Sequence, residues 1–211
     1  MKQWIWIAVC MPFVLMAQQR VFTIKPVAGM NGCQIHGDSY SGYDKVGVFI
    51  GGALNARLTD KYSLETGFIF TQKGARHNSN PKAGDYSFYR VNLNYLEVPF
   101  LFRMMLNTKY FLTGGASLAY LLSYTEATET GSWNGVYPFN KLEISLNAGL
   151  GYAYTKRIAF EVRSNNSVAP IRNYGRIANL VFYPNPVARF FNKGLYNNII
   201  SIIVSYKIFE K

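Results

Sequence analysis

Residues 141–155 read KLEISLNAGLGYAYT, and this stretch decides the fold. Leu142, Ile144, Leu146, Leu150, Tyr152 and Tyr154 alternate with Lys141, Glu143, Ser145, Asn147 and Thr155. Successive side chains of a strand point to opposite faces, so a period of two marks a strand with one apolar and one polar side. Working outward, Tyr62, Leu64, Phe68 and Phe70 repeat the pattern against Ser63, Glu65, Gly67 and Thr71. So do Ile200, Ile202, Val204, Tyr206 and Ile208 against Ser201, Ser205 and Lys207. The apolar residues keep to even-numbered positions along most of the chain. The implied fold is all-β, with sharply unlike faces.

Strand candidates lie near 20–31, 44–58, 61–73, 86–106, 109–124, 140–155, 158–166 and 197–209, about eight in all, the smallest usual number for a membrane barrel. Three connections are tight and polar: Thr59-Asp60-Lys61, Asn107-Thr108-Lys109 and Thr155-Lys156-Arg157. Between them lie long ones near 32–43, 74–85, 125–139 and 167–196, rich in Gly, Ser, Asn and Pro. Strict alternation of short and long connections is what a closed up-and-down antiparallel barrel requires, because its two rims take alternate connections. In an outer membrane the short turns face the periplasm and the long loops face outside.

Periodicity alone leaves open which face meets water. A secreted lipocalin-like barrel would turn its apolar face inward around a greasy ligand, whereas a transmembrane barrel turns it toward lipid. The odd face carries Lys25, Arg57, Glu65, Lys73, Glu97, Arg103, Lys141, Glu143, Glu161, Arg163 and Lys207, with both signs represented. Such charges can pair inside a narrow lumen that side chains must fill. On the even face, Tyr62, Tyr110, Tyr124, Tyr152, Tyr154 and Tyr206 gather near strand ends, where aromatic girdles form at membrane surfaces. These observations favour the transmembrane barrel. Pro99, in mid-strand, removes a ladder donor and predicts a bulge or a local break.

The N-terminus carries Lys2, a largely apolar run from Trp4 to Met16, and Ala17 before Gln18, the layout of a signal peptide over residues 1–17. Residues 18–211 then form one barrel domain. Cys10 falls within the signal segment, so Cys33 stands alone and no disulfide framework is expected. The net charge is +11, and loss of Lys2 takes it to +10, a balance that favours anionic partners. Export argues against nucleic acid, for which no recognition motif is present. Outer-membrane lipid, lipopolysaccharide and acidic envelope proteins fit the compartment better.

The segment YLEVPFLFR at 95–103, following FIFTQKGAR at 68–76, resembles the PorT-like outer-membrane β-barrel family of Bacteroidota. Its core here is Tyr95, Leu96, Glu97, Val98, Pro99 and Arg103; GVFIGGALNARLTDKYSLETGFIF at 47–70 and the aromatic end of the last strand, Tyr206 and Phe209, are similar too. The resemblance implies an outer-membrane barrel and, for the family's namesake, a role in type IX protein secretion. Most relatives carry the domain without an assigned task.

Two sets of residues are candidates for function. Glu65, Glu97, Arg103, Glu143, Glu161, Arg163 and Lys207 are expected to form a lumen ionic network that either fills the barrel or lines a pore. The last long loop holds Arg172, Arg176, Arg189 and Lys193 with Tyr174 and other aromatics but no carboxylate, a composition suited to docking an anionic partner. His36 and His77, with Asp38, Ser39, Ser79 and Asp85 nearby, could only serve catalysis if a nucleophile and base were paired. No catalytic residue, cofactor or metal site is assigned. The expected function is a non-enzymatic envelope barrel with a plugged polar lumen, an accessory or structural component; the alternatives are a narrow diffusion channel and a lipid-modifying enzyme.

Overall fold

The computed structural model describes residues 22–38, 40, 42–132, 138–173 and 194–210. Eight long antiparallel strands form the wall: β1 (Phe22–His36), β2 (Lys45–Arg57), β3 (Tyr62–His77), β4 (Tyr89–Met105), β5 (Tyr110–Thr128), β6 (Leu142–Ala153), β7 (Ile158–Ser167) and β8 (Gly194–Tyr206). Each pairs with its sequence neighbour, and β8 pairs with β1, which closes the sheet. Two-residue strands at Gly131–Ser132, Arg172–Asn173 and Phe209–Glu210 add to β5, β8 and β1.

Following the register once around the wall from Thr23 leads back to β1 at Cys33, ten residues further on. With about 3.3 Å per residue along a strand and about 4.8 Å between strands, that stagger tilts the eight strands by about 40°. Each short turn is held by its first polar residue, whose side chain accepts two backbone N–H bonds as Ser/Thr and Asx turns do. Thr59 Oγ1 accepts from Lys61 and Tyr62, Asn107 Oδ1 from Lys109 and Tyr110, and Thr155 Oγ1 from Arg157 and Ile158.

The faces are decided by exposure. Leu64, Ile144 and Ile202 are 44%, 44% and 61% exposed on the outside, whereas Glu65 and Glu143 are 5% and 1% exposed within. Around the short-turn rim the outward face carries ring pairs Tyr62–Phe102, Tyr110–Tyr152 and Tyr154–Phe160, with centroids 5.3, 5.1 and 6.2 Å apart.

Several strands run further than the alternation indicated: β1 reaches His36, β3 reaches His77 and β5 reaches Thr128. In these outer extensions the polarity reverses. Outward Asn92 and Asn94 of β4 donate to Thr125 and Ser123 of β5 at 3.0 and 2.9 Å, while Val91, Leu93 and Tyr95 are buried inside. The alternation of even apolar residues therefore stops where the wall leaves lipid, and the strands do not.

Tyr124 is a correction to the girdle. Asn94 pairs with Ser123 but Tyr95 pairs with Leu121, so Leu122 is an extra residue that shifts the register. Such a β-bulge exchanges the faces beyond it. Tyr124 consequently turns inward and packs edge-on against Phe139, 5.2 Å between centroids. Pro99 causes a break rather than a bulge: Thr66–Phe100 and Ile69–Glu97 share one register, and the two positions between them are unpaired.

Candidate functional site

Inside a closed wall of eight strands there is room for side chains and little else. Moving charges out of water costs several kcal/mol each unless partners compensate, so charged residues placed there must pair. Nearest the short turns, Glu65 of β3 is the hub. Lys25 Nζ donates to its Oε2, Arg103 Nη2 lies 2.8 Å from the same oxygen, and Arg163 Nη2 lies 3.6 Å from Oε1. Glu161 takes Arg163 Nε at 2.7 Å, Arg103 Nη2 at 3.3 Å and the Thr113 hydroxyl at 2.7 Å. Gly151 makes this packing possible, because a Cβ there would sit 2.0 Å from Phe111 Cζ. The Phe111 ring in turn lies 4.1 Å beneath the Arg103 guanidinium, an attractive cation–π placement.

A second cluster lies further out. Lys73 of β3 reaches Glu97 of β4 at 2.9 Å and Glu143 of β6 at 2.8 Å, and its ammonium is 5.4 Å from the Tyr95 ring centroid. Asn165 accepts from Lys73 at 3.0 Å and donates to Glu97 at 3.1 Å; Asn197 and Ser145 donate to Glu143 at 2.6 and 3.0 Å. The inner cluster has three cations and two carboxylates, the outer one cation and two carboxylates. Together they are four against four. The cavity between the inner cluster and the apolar group Val27, Phe49, Ala53, Ile69 and Ile203 has about 10 Å³ open, room for no more than a water.

The outer third of the lumen is not polar, which corrects the expectation of a polar interior throughout. Ile35, Val91, Leu93, Tyr95, Leu121 and Leu195 from the strands close on Phe139 and Ile171 from two long loops. The loop segments are tied down as Asn140 N donates to Ile171 O at 2.7 Å and Asn140 Nδ2 to Pro170 O at 2.8 Å. Arg172, assigned from sequence to an outward docking surface, points into this plug. Its guanidinium makes two bonds to Glu126, at 2.9 and 2.6 Å, and lies 3.6 Å over the Phe139 ring. The loop therefore does have a carboxylate partner, supplied by β5. Tyr174, Arg176, Arg189 and Lys193 lie outside the described residues.

Lys207 continues the inward alternation but stands at the short-turn mouth, where it lines two open cavities beside Lys25 and Arg103 and meets no carboxylate of its own among the described residues. Lys25 and Lys73, recognisable as polar-face residues, belong with the clusters although sequence reasoning left them out of the network. Glu126 was missed because the bulge at Leu122 exchanges its face. The break of alternation in Tyr120-Leu121-Leu122-Ser123-Tyr124 is the signal that could have revealed it.

In the outer loops, His77 Nε2 is 2.7 Å from Asp85 Oδ2, and Asp85 Oδ1 accepts from both the Ser87 hydroxyl and, at 2.9 Å, the Ser87 N–H. The bonds from Ser87, and then the one from His77, hold the Asp85 carboxyl down at about 2. Tyr40 stacks on His77 and Tyr89 with centroids 4.4 and 5.4 Å away. Ser87 donates to the carboxylate rather than to the imidazole, so among the described residues, which leave out Ser39, the arrangement is a loop clasp. Among the described residues, no three His, Cys, Asp or Glu side chains gather as metal ligands.

Residues 16–172 match the family model described as outer membrane protein beta-barrel domain, and the chain belongs to that family. No curated protein matches it. Among solved structures, Ail, the attachment invasion locus protein of Yersinia pestis, in complex with the heparin analogue sucrose octasulfate, superimposes with a TM-score of 0.50 at 12% identity, covering 90% of this chain and 100% of that one. Ail crystallised alone gives 0.50 at 11% identity, with 89% and 98% covered. Neisserial surface protein A gives 0.45 at 12%, with 89% and 97% covered. At such identities the likeness is one of fold. The protein is an outer-membrane β-barrel of the small, eight-stranded kind.

Proposed function

We propose that this barrel is a non-enzymatic component of the cell envelope whose lumen is a structural filling and whose rims carry its interactions. The observation that carries the reading is the filled interior, a balanced set of four cations and four carboxylates beneath an apolar plug, with a cavity of about 10 Å³ beside the inner cluster. Paired charges in a water-poor interior stiffen a wall; they do not offer sites a permeant ion could share. Planar-bilayer recording tests it directly: purified barrel should show no steady conductance, and a reproducible open level would establish the diffusion-channel alternative instead.

Residues 1–17 are proposed as the cleaved export signal, which N-terminal sequencing of the mature protein would check. The assignment to a PorT-like, Bacteroidota lineage, and through it to type IX secretion, rests on YLEVPFLFR. In the structure, Tyr95 and Glu97 of that segment both face Lys73, and Arg103 joins Glu65 to Glu161. These are stabilising roles, so the segment supports barrel architecture more directly than it supports secretion. Co-purification from native outer membranes under mild detergent is the decisive measurement. Recovery of secretion or gliding components supports the accessory role, and recovery of the barrel alone favours a solitary structural one. The anionic-partner role of the last loop is retained for Arg176, Arg189 and Lys193 on the strength of their composition, without Arg172.

A further inference from the structure

The lumen clusters are neutral as a set, so the chain's surplus of positive charge lies elsewhere, and much of it is collected at the short-turn mouth. Arg57, Lys61, Lys109, Lys156, Arg157 and Lys207 line two adjoining cavities there, of about 250 and 370 Å³. Asp60 is the one carboxylate among the described residues lining either. The two cavities share Lys25, Arg103, Met105 and Lys207 as a common floor. That floor is itself short of acceptors, since Arg103 Nε is buried without a hydrogen-bond partner. Lys109, Lys156 and Lys207 meet no carboxylate within salt-bridge distance among the described residues.

We propose that this mouth is a docking site for an extended acidic peptide segment of a periplasmic partner protein. Arg57 and Lys207 continue the inward alternation of their strands, and Lys61, Lys109, Lys156 and Arg157 stand in the short turns beside them. At the same level the outward positions are occupied by Tyr62, Tyr110, Tyr154 and Tyr206, the residues that meet lipid headgroups. Lys61 and Arg157 lean to the wall, where Lys61 Nζ lies 5.7 Å from the Tyr62 ring centroid and Arg157 Nη1 donates to the Tyr206 hydroxyl at 3.4 Å, whereas Lys207 stands on the floor common to both cavities, open to a chain entering from the aqueous side. A concavity with low-dielectric walls and one sign of charge concentrates the field and captures the opposite charge. The larger cavity adds Phe111, Ala153 and Ile158, apolar surface that suits side chains between successive carboxylates better than it suits a bare phosphate. The site faces the periplasm because short turns do so in outer-membrane barrels.

The test uses the mature barrel in phosphatidylcholine nanodiscs, where both rims are accessible and orientation does not enter. Fluorescein-labelled hexaglutamate should bind by anisotropy, and K61Q/K109Q/K207Q, three exposed or half-exposed changes outside the paired clusters, should weaken it about tenfold or more. R76Q/K82Q/R90Q at the opposite end should leave binding unchanged. No binding of hexaglutamate, equal binding of hexaglutamine, or equal loss from the opposite-end variant would overturn the proposal. So would displacement of the peptide by phosphatidylglycerol placed in the disc, since that would identify the occupant as a lipid headgroup.

Discussion

The membrane-embedded part of the wall and its outer extension are built from the same strands with opposite polarity. Around Leu64, Ile144 and Ile202 the outside is apolar and the inside is ionic; around Asn92, Asn94, Ser123 and Thr125 the outside is a polar ladder and the inside is Leu93, Leu121 and Phe139. The difference teaches that solvent sorts the side chains. Hydrocarbon gives no hydrophobic reason to bury apolar groups, so in the bilayer the lumen can be left to charges, provided they pair. Beyond the bilayer the wall meets water, and the ordinary arrangement of a soluble barrel returns, with grease inside.

Breaking the ionic interior should have the largest effect. Glu65→Gln leaves Lys25, Arg103 and Arg163 sharing Glu161, and should cost about 3–5 kcal/mol of unfolding free energy, read as a lowered urea midpoint in lipid vesicles. A midpoint unchanged from the native protein would mean that the cluster is wet rather than sealed. The next test compares the two outsides directly. Ile144→Lys at the lipid face should cost about 2–4 kcal/mol, whereas Asn94→Lys above it, which gives up one hydrogen bond to Ser123, should cost about 1 kcal/mol. Equal costs would erase the proposed boundary.

A smaller effect is expected in the plug. Leu93→Ala removes buried apolar volume and should cost about 2–3 kcal/mol. The loss should appear as faster hydrogen exchange at the outer ends of β4 and β5, with the membrane-embedded rungs unaffected. The smallest effect belongs to the loop between β1 and β2, where burial raises the Asp38 carboxyl to about 6 despite the Tyr40 N–H bond and nearby His36. A folded pKa above the unfolded one means that the folded state binds the extra proton, so this contribution weakens as pH rises from about 4 to about 6. Protection factors in residues 37–44, which take out the intrinsic pH dependence of amide exchange, should fall over that interval, and Asp38→Asn should remove the fall.

Much of this was legible in the primary structure. A period of two needs only neighbouring residues, so Leu142 to Tyr154 announced a strand, its apolar face and its partner face without reference to anything distant. Thr59, Asn107 and Thr155 likewise announced tight turns, because each turn's chemistry is local. Even the mixed charges of the odd face implied an enclosed network. Which charges meet did not follow. Lys73 joins Glu97 of the next strand and Glu143 of a strand three further on, and the stagger of the closed wall brings the three to one level.

The amino-acid order by itself determined the eight-stranded alternation and the turns, because each follows from the spacing of adjacent residues, while the kinds of residue on each face, mixed charges on one and girdle tyrosines on the other, pointed to the side that meets lipid. Tertiary structure alone decided that Leu122 exchanges the faces of Tyr124 and Glu126, that Arg172 turns inward to Glu126, and that Phe139 and Ile171 stopper the outer lumen. Each of these depends on contacts between segments tens of residues apart. Such contacts become definite only when closure of the wall fixes the register and forces the remaining interior to be filled.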